Sequence, residues 1–218
     1  MNPKLFTILG VLVASVTLHA QAQEITGNAQ AGSTKASMCI GCHGIAGYQA
    51  SFPEVYKVPK ISGQSHRYIV NALIAYQKGD RRHPTMRAVA QSMTEQDIAD
   101  VAAFYAAQTR PASEKAHREP SAEVAALLQK GACISCHGEG FTKPIDPSYP
   151  KVAGQHPDYL YAALKSYQRD TEKGYVGRSN GVMAGIAKQF SHKELKQLAN
   201  YMGSLQGDLQ TVPEKAFR

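Results

Sequence analysis

Two short runs carry the chemistry of this 218-residue chain: Cys39-Ile40-Gly41-Cys42-His43 and Cys133-Ile134-Ser135-Cys136-His137. Two thiols with two residues between them can add to the two vinyl groups along one edge of a porphyrin. A histidine directly after the second thiol then falls under the ring centre, where its imidazole nitrogen can bind iron. All four cysteines lie in these runs. The pattern therefore implies two covalently bound haem c groups, attached through Cys39, Cys42, Cys133 and Cys136, with His43 and His137 as axial iron ligands. The competing chemistries fit less well. Structural zinc needs four ligands gathered at one point, whereas each run sits in its own copy of a repeat. A thiol redox centre of the thioredoxin kind needs a βαβ context, which the sequence lacks.

The second axial ligand has to come from further along. Of six methionines, Met86 and Met183 are the ones that fall at equivalent points of both copies, in loop sequence just before the final helix. Met93 aligns with Phe190, which marks that position as core. Met38 is too close to a cysteine, and Met202 lies inside the last helix. A histidine is the rival ligand type: His83 stands three residues before Met86, with no histidine matching it near Met183. His66, His83, His117, His156 and His192 read as surface or loop residues. A thioether favours ferrous iron and raises the potential relative to two histidines. It also closes the coordination sphere, leaving no open position for a substrate.

The elements that must hold these groups repeat once along the chain. Lys60-Ile61-Ser62-Gly63-Gln64 matches Lys151-Val152-Ala153-Gly154-Gln155 at an offset of 91; the cysteine runs match at 94 and the Met86 and Met183 segments at 97. The length differences fall in Gly-, Pro- and charge-rich loop sequence, where they are tolerated. Two copies of about 90 residues are two domains rather than a solenoid. Each copy reads as three helices and no strand of useful length, so the fold class is all-α. The first helix runs from about Ala29 into Cys39 and from about Ser121 into Cys133. The second covers roughly 66–78 and 157–169, with Ile69, Leu73 and Tyr76, and Leu160, Leu164 and Tyr167, on one face. The third opens at Ser191-His192-Lys193-Glu194, a capping box, and at Thr94-Glu95-Gln96-Asp97, a looser one. Three short helices make a thin core, and a small domain often needs a staple; a large apolar ring inside each copy would supply it.

Pro59 and Pro150 each precede the shared lysine, and a proline carbonyl is a good acceptor for the second ring N–H of an axial histidine. Gln64, Tyr68, Gln155, Tyr159, Arg81 and Arg178 are candidates to hydrogen-bond haem propionates. The first 22 residues, with a single charge at Lys4, the apolar run Leu5–Ala14 and the small-residue end Ala20-Gln21-Ala22, read as a secretory signal peptide cleaved after Ala22, with Ala20 the near alternative. The domains expected are residues 23–109 and 121–218, joined by a polar, two-proline linker over 110–120. The formal charge of +7 is spread evenly over both copies and has no dense basic run, so nucleic acid is a poor partner.

Taken together, the Gly44 and Gly138 that follow the two haem motifs, the Pro59–Gln64 and Pro150–Gln155 runs, the Tyr76-Gln77 and Tyr167-Gln168 helix ends, and the Met-x-x-x-Ala runs at Met86 and Met183 resemble the dihaem cytochrome c4 family over the whole mature chain. The resemblance implies two class I cytochrome c domains, ligand pairs His43/Met86 and His137/Met183, and a periplasmic protein that passes single electrons from the respiratory chain toward a terminal oxidase. The Thr171–Gly181 insert of the second copy departs from the pattern. Its partners would be redox proteins, a respiratory donor and a terminal oxidase or dehydrogenase, and peripheral membrane association stays open. An electron-transfer subunit of a periplasmic dehydrogenase is the alternative. A dihaem peroxidase would need one displaceable ligand, and no catalytic constellation supports it.

Overall fold

The computed structural model describes residues 25–109, 118–169 and 174–213. The expected signal peptide, most of the linker with His117, and part of the Thr171–Gly181 insert lie outside the described residues. The first half holds α1 (Ala29–Lys35), α2 (Ser37–His43), β1 (Gln49–Ala50), β2 (Tyr56–Lys57), α3 (His66–Lys78), β3 (Arg81–Arg82), α4 (Pro84–Gln91) and α5 (Glu95–Ala107). The second holds α6 (Ala122–Lys130), α7 (Cys133–His137), a 3-10 turn at Glu139–Phe141, α8 (Pro157–Ser166), β4 (Gly177–Arg178), α9 (Gly181–Ala187) and α10 (His192–Ser204). Among the described residues no helix is long and apolar enough to cross a membrane.

The three expected helices of each half are present, with two additions. The first is not one rod. In the first half it breaks at Ala36, still right-handed (φ −73°). In the second it breaks at Ala132, whose φ of 46° is left-handed, a conformation that costs a residue with a Cβ about 1–2 kcal/mol and turns the cysteine run away from α6. The methionine segments, expected as loops, form the short helices α4 and α9. Both third helices carry full capping boxes: Thr94 and Asp97 bond reciprocally, as do Ser191 and Glu194. α3 stops where Gly79 adopts φ 85°, a position that favours glycine.

Each half has its own apolar cluster. Ile69, Leu73, Ile98, Val101 and Tyr105 bring α3 and α5 together in the first; Leu128, Leu160, Leu195, Leu198 and Met202 join α6, α8 and α10 in the second. α1 lies so close on α5 that a Cβ at Gly32 would stand 2.0 Å from the Asp100 carbonyl oxygen.

The halves meet through a reciprocal hydrogen-bond clasp. The Lys60 N–H donates to Gln155 Oε1 and Gln155 Nε2 donates back to the Lys60 carbonyl, both at 2.9 Å. The Lys151 N–H donates to Gln64 Oε1 (3.0 Å) and Gln64 Nε2 donates to the Lys151 carbonyl (2.9 Å). The lysine ammonium groups cross as well, to the carbonyls of Gly154 (2.6 Å) and Gly63 (2.9 Å). The residues on the two sides are repeat equivalents, so the contact is isologous, as in a two-fold dimer. β3 pairs antiparallel with β4, placing Arg81 opposite Arg178; the insert thus supplies part of the seam. Past α10 the chain returns to the first half, where the Gln210 N–H reaches the Ser62 carbonyl (3.1 Å) and Gln210 Nε2 reaches that of Gln108 (2.8 Å). Gln64 and Gln155, expected near propionates, are both 4% exposed, and each gives its oxygen and one N–H to a lysine peptide across the seam, a role that the sequence did not suggest.

One buried carboxylate ties α1 to α5 in the first half. Asp100 accepts from the Asn28 N–H (2.8 Å) and from Gln96 Nε2 (2.8 Å), and pairs with Lys35 at 2.7 Å. Lys35, chiefly by its hydrogen bond, holds the Asp100 carboxyl below the usual carboxylate range. A depressed folded pKa means that its stabilisation is present above the unfolded value, about 4, and disappears as pH falls through the folded one. The repeat equivalent is the uncharged Gln197. Acidification below about pH 4 should therefore loosen α1 on α5 before α6 on α10, as read by peptide-resolved hydrogen exchange. Asp100→Asn, which leaves Lys35 paired with Asp97 at 2.7 Å, should shrink that difference and lower stability at neutral pH by about 1–3 kcal/mol.

Candidate functional site

Well-packed interiors hold few voids larger than a water molecule. Here a cavity of about 730 Å³ runs through both halves, and its walls include all eight residues singled out by the sequence: Cys39, Cys42, His43 and Met86, and Cys133, Cys136, His137 and Met183. The rest of the wall is mainly apolar, with Ile69, Leu73 and Val101 in the first half and Leu160, Leu164 and Leu198 in the second.

The two histidines are held alike. His43 Nδ1–H donates to the Pro59 carbonyl at 2.8 Å, and His137 Nδ1–H to that of Pro150 at 3.0 Å. Since the carbonyl only accepts, each ring keeps its proton on Nδ1, leaving Nε2 with a free lone pair. Burial lowers both imidazole pKa values, against the upward pull of the proline carbonyls. None of the four cysteines is paired in a disulfide. Burial pushes the Cys39 thiol up to about 11 and raises Cys133 as well. Reactive redox thiols have low pKa values in electropositive, open surroundings; these two have the opposite setting. No group of three or more His, Cys, Asp or Glu side chains suited to a metal is found among the described residues.

Met86 and Met183 are each the third residue of a short helix, and each is placed by a cap. The Met183 N–H donates to Asn180 Oδ1 at 2.9 Å, and the Met86 N–H to His83 Nδ1 at 3.4 Å. His83 is thus not a loose surface histidine but the counterpart of Asn180. The sequence signal was available: the two stand 97 residues apart, as the methionines do. His66 is also engaged, through Nε2 to the Ala99 carbonyl at 3.2 Å.

Arg81, Arg178, Tyr68 and Tyr159, expected near propionates, all reach the cavity and converge at the seam. Arg81 donates to Tyr159 Oη (2.7 Å) and Tyr68 Oη (3.2 Å), and Arg178 to Tyr159 Oη (3.2 Å). Burial raises the Tyr159 pKa, but the two guanidinium groups outweigh it and bring it down to about 8. Among the described residues neither arginine pairs with a carboxylate, and the buried Arg81 Nε has no partner. Two cations facing a cavity without a counter-charge suit an acidic group brought in by a cofactor. An apolar slot lined by two cysteine sulfurs, an imidazole and a thioether, with cations at the seam, fits haem c in each half.

Two helical domains with this donor set define a dihaem c-type electron-transfer cytochrome. The cytochrome c family model matches residues 29–107 and 121–206, so the chain belongs to the cytochrome c family. Within it the chain belongs with the cytochrome c4 proteins: it is 30% identical to cytochrome c4 of Thiocapsa roseopersicina over 86% of this chain and 97% of that protein. It is 29% identical to a protein of Stutzerimonas stutzeri named thiosulfate dehydrogenase electron acceptor, over 88% of this chain and 92% of that one. The solved cytochrome c4 of Acidithiobacillus ferrooxidans is 28% identical, with a TM-score of 0.61 over 78% of this chain and 99% of that one. The protein accordingly carries two covalently bound haem c groups and exchanges electrons with redox partner proteins.

Removing the cap on the first methionine should loosen it selectively. His83→Ala is expected to cost about 1 kcal/mol and to weaken the charge-transfer band of methionine-ligated ferric haem in the first half. His83→Asn, which copies Asn180, should preserve that band. Equal bands in all three proteins would show that the cap does not position Met86.

Proposed function

We propose that Cys39, Cys42, His43 and Met86 attach and ligate one haem, and that Cys133, Cys136, His137 and Met183 do so for the other, in domains spanning residues 23–109 and 121–218. In this reading the protein works in the periplasm, after cleavage near Ala22. It carries single electrons between respiratory-chain partners toward a terminal oxidase, free or loosely associated with the membrane surface. The observation that carries the ligand assignment is the matched pair of settings: in each half a histidine fixed by a proline carbonyl and a capped methionine line the same cavity.

Bound haem c supplies a reversible one-electron couple at iron. The chain does the rest. Pro59 and Pro150 hold each imidazole in one tautomer and orientation. His83 and Asn180 hold the methionine turns. The apolar walls keep water from the ring faces, and Arg81 and Arg178 offer positive charge where acidic substituents would lie. With His43 and Met86 holding one iron and His137 and Met183 the other, no coordination position would remain for a substrate, which suits a carrier better than a catalyst.

A second reading has a specific observation behind it. The similarity to the Stutzerimonas stutzeri thiosulfate dehydrogenase electron acceptor favours a role as acceptor for a periplasmic dehydrogenase, whose own subunit would do the bond chemistry.

A redox titration with absorption spectra should show two one-electron, low-spin centres that refuse carbon monoxide when reduced. Met86→Ala or Met183→Ala should each open one haem, and only one, to carbon monoxide. Rapid binding by the unmodified protein would overturn the two-methionine assignment. Co-purification with a dehydrogenase subunit would favour the second reading.

A further inference from the structure

A second groove, of about 660 Å³, opens on the surface where the halves meet, between residues 54–57 of the first and helices α8 and α10 of the second. Its charge is unbalanced. Both carboxylates of the wall are already engaged. Glu54 pairs with Lys165 (3.5 Å) and with Arg169. Asp158 accepts the N–H groups of Lys57 and Tyr159, each at 2.9 Å. Lys57, Lys165 and Lys196 line the same groove, and among the described residues neither Lys57 nor Lys196 pairs with a carboxylate.

The fold does not require this charge. α8 corresponds to α3 at an offset of 91, which sets Lys165 against Ile74. α10 corresponds to α5 at 97, which sets Lys196 and Asn200 against Ala99 and Ala103. In the first half the chain itself covers that place. A Cβ added at Gly27 would stand 2.1 Å from the Ala99 carbonyl oxygen and 3.0 Å from the Ala103 side chain, and the Thr26 carbonyl accepts from Gln96 Nε2 at 3.1 Å. Ala99 is therefore buried, whereas Lys196 and Asn200 are exposed. The second half leaves open, and charges, a place where the first half lays a stretch of its own backbone. Tyr56 forms part of the wall of both this groove and the cofactor cavity, so an occupant would lie one aromatic ring from that cavity.

We propose that the groove docks an extended acidic segment of a redox partner protein, whose carboxylates meet Lys57 and Lys196. Its volume suits several side chains, and the exposed Val55 and the ring of Tyr161 give the segment's apolar groups a footing. Because its walls come from both halves, the groove exists only while they are joined, and its occupant binds the joined pair. The proposal rests on the carrier reading. Equilibrium binding tests it without electron transfer, so a failure of the carrier reading would show in the redox titration and not here.

The test is a titration of the full-length dihaem protein into a fluorescein-labelled peptide of alternating glutamate and leucine, followed by anisotropy. One peptide should bind per chain at low salt and be released as salt rises. Lys57→Gln/Lys196→Gln should bind it roughly tenfold more weakly. Lys143→Gln/Lys188→Gln makes the same change of charge at exposed lysines outside the groove and should bind it as the unmodified protein does. Equal weakening in the two variants would reveal general charge attraction and overturn the proposal. So would equal binding of a peptide with glutamine in place of glutamate, or displacement by inorganic phosphate as effective as by unlabelled peptide, which would mark a small-anion site.

Discussion

Each half of this protein is built around a space that its own side chains do not fill. Helices of seven to thirteen residues, such as α1, α3 and α5, bury too little apolar surface to hold a domain of this size together unaided. Their inner faces instead line a shared cavity of about 730 Å³, and a planar apolar ring in each half completes the core. The cofactor's place is thus part of the fold. The same walls that need it for burial also keep water from it, so structural need and electron-transfer function impose one requirement on the lining residues.

Around that space the polar groups divide their labour. Prolines fix the histidines, caps fix the methionines, and two arginines wait at the domain seam without carboxylate partners among the described residues. None of these groups reacts. Their work is to set orientation and electrostatics before an electron arrives, which suits a protein that carries electrons rather than transforming a substrate. The reciprocal bonds of Gln64 and Gln155 to lysine peptides hold the two halves in register, so they set how the two parts of the shared cavity lie against each other.

The cysteine runs, the two histidines and the repeat were legible in the sequence because each has a fixed spacing. The offset of 97 also picked out Met86 and Met183 before any geometry was known. It could not show that they sit in the first turns of helices, because α4 and α9 are too short to display a helical period. Nor were the two-residue strands β3 and β4 legible, since they have no alternation to read. Gln64 and Gln155 were noticed, but their bonds across the seam were not legible. A glutamine next to a glycine turn looks the same in sequence whether it faces a cofactor or a neighbouring domain, and only the fold shows the lysine peptide opposite. His83 was set aside for want of a matching histidine, when the match was one of function, to Asn180.

The clasp also bears on how such a protein can change over time. Each glutamine reads the peptide group of a lysine in the other half, not that lysine's side chain, so substitutions nearby leave the recognition intact as long as the backbone path is kept. A half taken from another chain would dock only if it brought both a glutamine and a peptide at the right height. The two halves can therefore diverge freely in their linings, as Met93 and Phe190 have done, while remaining bound to one another as a single inheritable unit.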